Sequence, residues 1–325
     1  MQRDYAVFIT AHQQAELKEV GRDSSPLAAD EVAGSTVVSM ISPGTELAGV
    51  YNVESGFPRQ SGYAAVFAVE AVGNEVNDIK MGDYVFCMGN HCSYQRARRQ
   101  NIVPLIHNLT PETAVFARLM GVSMTTLTTT VARPPEMVII TGLGIVGNLA
   151  AQNFANCGYE VIACEPDEER RKIALECGLK MALPSVPVDD PKIAGKVGLV
   201  VDCSGHEQAV LDACNVIKKR GEVVLLATHW KRYTDMYAHT ILHAIFHKYV
   251  VMRSGWEWEL PIQPMDFRTN SVYGSFAAAL KWLAEGRISV QCLYNKISPR
   301  ECQNAYQNLL QKQGGQLTYI FDWRE

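Results

Sequence analysis

Met137-Val138-Ile139-Ile140-Thr141-Gly142-Leu143-Gly144-Ile145-Val146-Gly147 is the stretch that decides the fold of this 325-residue chain. Four apolar residues run into Thr141 and a G-x-G-x-x-G turn, and the Ala-containing segment Asn148 to Ala155 follows with helical spacing. The pattern is a buried strand, a tight turn and a helix. Gly142 permits the turn, Gly144 lets a pyrophosphate approach the backbone, and Gly147 lets helix and strand pack closely. Ile145 and Val146 open the helix, whose first N–H groups face the phosphates. A second strand, Tyr159 to Cys164, ends at Glu165, about twenty residues beyond the glycines, where a ribose-binding acid is expected.

Outward from this stretch, strands predicted at 137–141, 160–164, 198–203, 222–227 and 248–253 alternate with helices near 146–156, 168–177, 207–218 and 235–246. Such alternation predicts a parallel sheet with helices on both faces. Residues 1 to about 110 differ. Short apolar runs (Val32 to Ser39, Gly62 to Val72, Tyr84 to Met88, Asn101 to Leu105) are separated by Gly, Pro, Asn and Asp and predict strands. Pro111-Glu112-Thr113 opens a helix toward Thr126. Beyond 266 the reading is a helix Val272 to Ala284, a strand 289–295, a helix 299–312 and a strand 317–322. One domain is therefore expected to be inserted in another: 117–266 for the nucleotide-binding part, 1–116 with 267–325 for the rest. The active site is expected in the cleft between them, beyond the C-terminal ends of the parallel strands.

Composition is that of a globular chain, 47% hydrophobic and 20% charged. The net charge of −4 gives no electrostatic reason to expect nucleic acid or an anionic membrane. No apolar run is long enough to span a bilayer, and the N-terminus enters a strand pattern without a signal-peptide pattern. Nine cysteines, mostly within apolar segments, read as thiols of a reducing cytoplasm.

Several motifs resemble the medium-chain dehydrogenase/reductase superfamily, the zinc alcohol dehydrogenase-like proteins. Phe57 to Gly73 resembles the segment around the family's G-H-E motif, and Met81-Gly82-Asp83-Tyr84-Val85 its G-D-x-V turn. Leu199 to Gly205 and Gly221-Glu222-Val223-Val224 resemble its later cofactor-domain strands. The resemblance implies an α/β fold in which a Rossmann doubly wound parallel sheet is inserted in a strand-rich GroES-like catalytic domain. It departs where the family binds zinc. The cysteine position falls in Ile41-Ser42-Pro43-Gly44-Thr45-Glu46, G-H-E has become Gly62-Tyr63-Ala64, and the third ligand region is Met120-Gly121-Val122-Ser123. These residues do not supply a tetrahedral zinc set. Of the four-cysteine structural lobe only Cys87 and Cys92 remain, so the expectation is a zinc-independent branch with no metal. Gly205-His206-Glu207 spells G-H-E but reads as the start of a helix. His239, His243 and His247 would share one helical face, read as an amphipathic helix.

Without a Lewis acid, hydride transfer needs a hydrogen-bond donor for the substrate oxygen. Thr45 aligns with the hydroxyl of the family's proton relay, Tyr63 replaces its zinc-binding His, and His91 falls where the family's chain lines the nicotinamide cleft. Glu46 reads as an anchor of its own loop. Cofactor-binding candidates are Gly142, Gly144, Ile145, Val146, Gly147, Glu165, Arg170, Cys203 and Thr228. A carboxylate at Glu165 favours NAD(H) over NADP(H), softened by Arg170 and Arg171. The expectation is a cytoplasmic, NAD(P)(H)-dependent oxidoreductase acting on a secondary alcohol or ketone of a polar, sugar- or cyclitol-like small molecule. It is read as a homodimer through the apolar edge Lys248 to Met252, with no nucleic-acid or membrane partner. The rivals are a quinone or enone C=C reductase of the same superfamily and a non-enzymatic NAD(P)H-binding sensor.

Overall fold

A computed structural model describes residues 3–324. It divides into two compact units. One runs to Arg118 and resumes over Phe276–Glu285 and from Leu293; the other comprises Leu119–Ser275 and Gly286–Cys292.

The second unit is built on a six-stranded sheet: β1 (Met137–Thr141), β2 (Glu160–Cys164), β3 (Ala182–Leu183), β4 (Val197–Asp202), β5 (Ile217–Leu225) and β6 (Val251–Ser254). The order is 3-2-1-4-5-6 and every neighbouring pair is parallel. This is the order of a dinucleotide-binding doubly wound sheet. Both faces are covered, which explains the unbroken apolar run of β1. Val138 and Ile140 enter one core with Phe154, Leu199 and Val201, while Ile139 enters another with Val200 and Val223. The connecting helices are α1 (Ile145–Asn156), α2 (Glu168–Glu176), α3 (Glu207–Val216) and α4 (Ala238–Lys248). Asp167 caps α2 by accepting from the Arg170 N–H, and Glu168 and Glu169 occupy the positive end of its dipole.

Three predicted strands shift. The one expected at 222–227 runs Ile217–Leu225, beginning where the preceding helix ends at Val216. The one expected at 248–253 starts at Val251, because Lys248 still closes α4 and Tyr249 takes a left-handed conformation (φ +55°) that ends the helix. The one expected at 289–295 is Tyr294–Ile297. Ser289 is not free to pair: its N–H donates to Gln152 Oε1 (2.7 Å) and its carbonyl accepts from Gln152 Nε2 (2.9 Å).

The first unit holds two sheets. A three-stranded sheet joins Gln14–Val20, Asp4–Ala11 and Arg59–Gln60. A larger one runs Tyr294–Ile297, Thr318–Asp322, Glu31–Met40, Ala65–Val72, Tyr84–Cys87 and Ile102–Pro104, with Tyr94–Arg98 also pairing to Glu31–Met40. Val7, Ile9, Ile41, Tyr51, Tyr306 and Phe321 form one core of this unit, and Val32, Phe67, Val85 and Ile102 another. Gln14–Val20 and Tyr94–Arg98 had no apolar signature, being polar strands held through the backbone. The helix expected from Pro111 is two, Pro111–Ala114 and Ala117–Thr129. No helix among the described residues is long and apolar enough to cross a membrane.

Candidate active site

The three glycines of the β1–α1 turn differ in what surrounds them. Gly142 has φ +80°, and a Cβ there would lie 2.7 Å from Ser204 Cα. At Gly147 a Cβ would fall 1.7 Å from the Gly142 carbonyl oxygen, so helix and turn touch backbone to backbone. Over Gly144 the space is open: the nearest atom to a Cβ is Arg170 Nη1, at 4.0 Å. The turn is therefore closed on the protein side and vacant where α1 begins. Gly144 is the N-cap and offers no side-chain acceptor, so the amides of Ile145, Val146 and Gly147 present the positive dipole end there. These features suit a pyrophosphate.

Glu165 follows β2 and is 5% exposed. One carboxylate oxygen accepts from the Leu143 N–H of the glycine turn (2.7 Å) and the other from the Asp167 N–H (3.1 Å). Arg170 Nη1 lies 3.8 Å from Glu165 Oε2, so Arg170 borders both the acid and the open side of Gly144. Arg171, grouped with it in the sequence reading, is committed elsewhere, donating to the carbonyls of Glu165 and Pro166 (2.7 Å each). At the end of β4, the buried Asp202 accepts from Thr141 Oγ1 (2.7 Å), Ser204 Oγ (2.5 Å) and the Gly205 N–H (3.2 Å). It ties the exits of β1 and β4 together. Cys203 packs behind Gly147, its Cβ 3.1 Å from where a Gly147 Cβ would be. Thr228 is exposed, its carbonyl beside Gly205. His206 caps α3 by accepting from the Gln208 N–H, and Glu207 sits in the first turn, so that G-H-E is a helix start.

In the first unit, Thr45 and Tyr63 meet. Tyr63 OH lies 3.4 Å from Thr45 Oγ1 and donates to Ser42 Oγ at 2.7 Å. Thr45 is exposed, Tyr63 half-buried and Ser42 buried, so the hydroxyls form a file from surface to interior. Burial pushes the Tyr63 phenol above the ordinary tyrosine value. The opposing pull comes from Arg118, whose guanidinium carbon stands 4.3 Å from the ring centroid. The phenol is accordingly a protonated donor at neutral pH.

His91 is fully buried. Its Nε2 faces Glu46 Oε2 at 3.2 Å, and its Nδ1 lies 2.8 Å from Ser39 Oγ. Glu46 also accepts from Ser61 Oγ and Tyr306 OH (2.5 Å each) and from the Ser42 N–H (2.7 Å). Glu46 thus anchors its loop, as expected, and His91 completes that anchor. Ser42 lay within the quoted loop, whereas Tyr306 comes from Cys302–Leu310, a helix with no signal beyond its amphipathic period.

The donors around Tyr63 do not fit zinc. They are neutral hydroxyls, and the one carboxylate and the one imidazole nearby are spent on each other. Burial pushes the Cys87 and Cys92 thiols up to about 12 and about 11. The His243 and His247 rings lie with centroids 4.1 Å apart and planes inclined by 46°, yet no group of three or more His, Cys, Asp or Glu among the described residues is placed to hold a metal.

A family model described as "Zinc-binding dehydrogenase" matches residues 145–281, a span that includes none of the positions compared above with zinc ligands. An alcohol dehydrogenase of Geobacillus stearothermophilus is 24% identical over 216 residues, covering 55% of this chain and 63% of that protein. A sorbitol dehydrogenase of Halalkalibacterium halodurans is 24% identical over 159 residues, 43% of this chain and 46% of that one. The chain thus spans less than two thirds of the curated relatives it matches. The crystal structure of galactitol-1-phosphate dehydrogenase from Escherichia coli superposes with a TM-score of 0.82 at 17% identity, covering 98% of this chain and 99% of that one. This last likeness is one of fold.

Proposed function

We propose that the chain is a member of the medium-chain dehydrogenase/reductase superfamily, the zinc alcohol dehydrogenase-like proteins, and within it a zinc-independent oxidoreductase of polyol-like alcohols. Its substrate is a secondary alcohol or the matching ketone on a polar small molecule, sugar- or cyclitol-like. The names of the sorbitol and galactitol-1-phosphate dehydrogenases support that class. The cofactor is NAD(P)(H), with NAD(H) preferred, held at Gly142, Gly144, Ile145, Val146, Gly147, Glu165 and Arg170, with Cys203 and Thr228 at the neighbouring strand ends. The bound nicotinamide supplies the hydride acceptor or donor.

The observation that carries the reading is the file Thr45–Tyr63–Ser42, hydroxyls standing at the loop and position where the family places metal ligands. In the reducing direction Tyr63 donates its phenolic proton to the carbonyl oxygen as hydride reaches the carbon. Thr45, on the exposed side, orients the substrate oxygen and links the phenol to solvent. A positioned donor of this kind typically contributes about 10²–10⁴ in rate. His91 acts by holding Glu46 and the loop that carries Ser42 and Thr45. The working form is a homodimer in the cytoplasm, with neither nucleic acid nor membrane as partner.

The test is a panel of polyols, cyclitols, their ketones and enones, followed by nicotinamide absorbance in wild type, Tyr63→Phe and Thr45→Val. Polyol turnover that falls about a hundredfold or more in Tyr63→Phe, with NADH affinity unchanged, is expected. Turnover of enones alone, or of nothing despite NADH binding, discards the reading. Metal analysis of the same preparation should find well under one zinc per chain, and stoichiometric zinc surviving dialysis would refute the metal-free chemistry.

A further inference from the structure

We propose that Cys177 and Cys292 form an oxidisable dithiol, a site of reversible disulfide formation within the parallel-sheet unit. Their sulfurs lie 3.0 Å apart although 115 positions separate them in sequence. A disulfide needs an S–S separation of about 2 Å, so oxidation requires an approach of about 1 Å. Thiols packed merely as small hydrophobes would face carbon, whereas here each sulfur has the other as its hydrogen-bond partner.

The fold holds both sides independently of that contact. Cys177 is the C-cap of α2, its N–H bonded to the Ile173 carbonyl at 3.0 Å. Cys292 is the last residue of this unit before the chain passes to the other at Leu293. Its segment is fastened to α1 by the reciprocal amide pair of Gln152 and Ser289. The two cysteines also differ in access: Cys177 is buried and Cys292 partly exposed. That asymmetry assigns their order of reaction with a peroxide. The Cys292 thiolate attacks one peroxide oxygen; the S–O bond forms, the O–O bond breaks, and the leaving hydroxide takes up a proton as water. Cys177, deprotonated, then attacks the Cys292 sulfur; the S–S bond forms, the S–O bond breaks, and a second water leaves. Two thiols and one hydrogen peroxide thus give one disulfide and two waters. The bridge would tie the end of α2, the helix that carries Arg170, to the segment leading out of the unit.

The experiment is independent of any substrate. The full-length protein is treated with hydrogen peroxide, or separately with diamide, alkylated and mapped by non-reducing peptide mass spectrometry. The expected product is a Cys177–Cys292 cross-linked peptide that dithiothreitol reverses. With a closed loop this long, the oxidised protein should melt about 5 °C or more above the reduced form. Cys292→Ser, at a partly exposed position, and Cys177→Ala should each abolish the cross-link and the shift, so a folding defect in one variant leaves the other to decide. Cys292 recovered as sulfinic or sulfonic acid with Cys177 still alkylatable overturns the proposal. So does a cross-link between any other pair forming first, or both thiols remaining free under both oxidants.

Discussion

Glu46 and His91 are locked together in the interior of the strand-rich unit, Nε2 to Oε2 at 3.2 Å, with side chains 2% and 0% exposed. Burial alone would raise the Glu46 carboxyl. The charge and hydrogen bond of His91, with Ser61 and Tyr306, outweigh it and hold the carboxyl below its ordinary value. A depressed carboxyl contributes stability that is complete above the unfolded-state pKa, about 4.3, and is lost as pH falls through the folded-state value.

Glu46→Gln should therefore cost about 3 kcal/mol at neutral pH, because it leaves a buried imidazole without its carboxylate. It should also flatten the decline of stability on the acid side. Urea unfolding of both proteins from about pH 3 to pH 7 checks this. Two parallel curves would mean that the pair does not couple protonation to folding.

Gly144→Val should abolish NAD(H) binding without unfolding the protein. A side chain at 144 meets nothing closer than Arg170 Nη1 at 4.0 Å, so the native fold has room for it. The same space is where a pyrophosphate would lie. Calorimetric titration with NADH, beside a circular dichroism melt, separates the two effects. Gly147→Val should instead fail to fold, since a Cβ there falls 1.7 Å from the Gly142 oxygen.

NADH should bind on the order of tenfold more tightly than NADPH, because a phosphate beside Glu165 meets a carboxylate where a ribose hydroxyl would donate to it. Glu165→Ser should narrow or reverse that ratio by freeing Arg170, which lies 3.8 Å from the acid. Adding Arg170→Ala should remove the NADPH gained. Arg171→Ala should leave the ratio alone, its guanidinium being held by two carbonyls. Dissociation constants for both cofactors decide it. Glu165→Ser carries a second cost, since Glu165 also fastens the glycine turn through Leu143 N–H.

The chain should dimerise through β6. This strand has a single neighbour in the sheet, and Val251 on it is 43% exposed. The segment after it leaves Trp256, Trp258, Met265 and Phe267 largely in solvent. Light scattering should give twice the chain mass at micromolar concentration, and Val251→Asp should give a monomer that still binds NADH. A wild-type monomer would sink the idea.

What the sequence determined by itself was the parallel-sheet unit and its glycine turn. Periodicity and turn chemistry are local properties. Met137 to Gly147 carries its own strand, its positive-φ glycine and its close-packed glycine within a few residues, and the fold has all three in those places. The position of Glu165, just past the end of the next strand, was legible for the same reason. The tertiary structure alone decided which polar residues meet. His91 was placed by the resemblance of its segment to the family's cleft-lining chain, but a resemblance in sequence does not report depth. Only folding brings Ser39 and Glu46 against it, and Ser61 and Tyr306 against Glu46, Tyr306 from 260 positions away. Arg170 and Arg171 are neighbours in sequence and indistinguishable by type, yet one flanks the acid and the other holds carbonyls, because successive helical residues point about 100° apart. The Cys177–Cys292 contact has no local signature either, being made by two segments whose meeting depends on the packing of the whole unit.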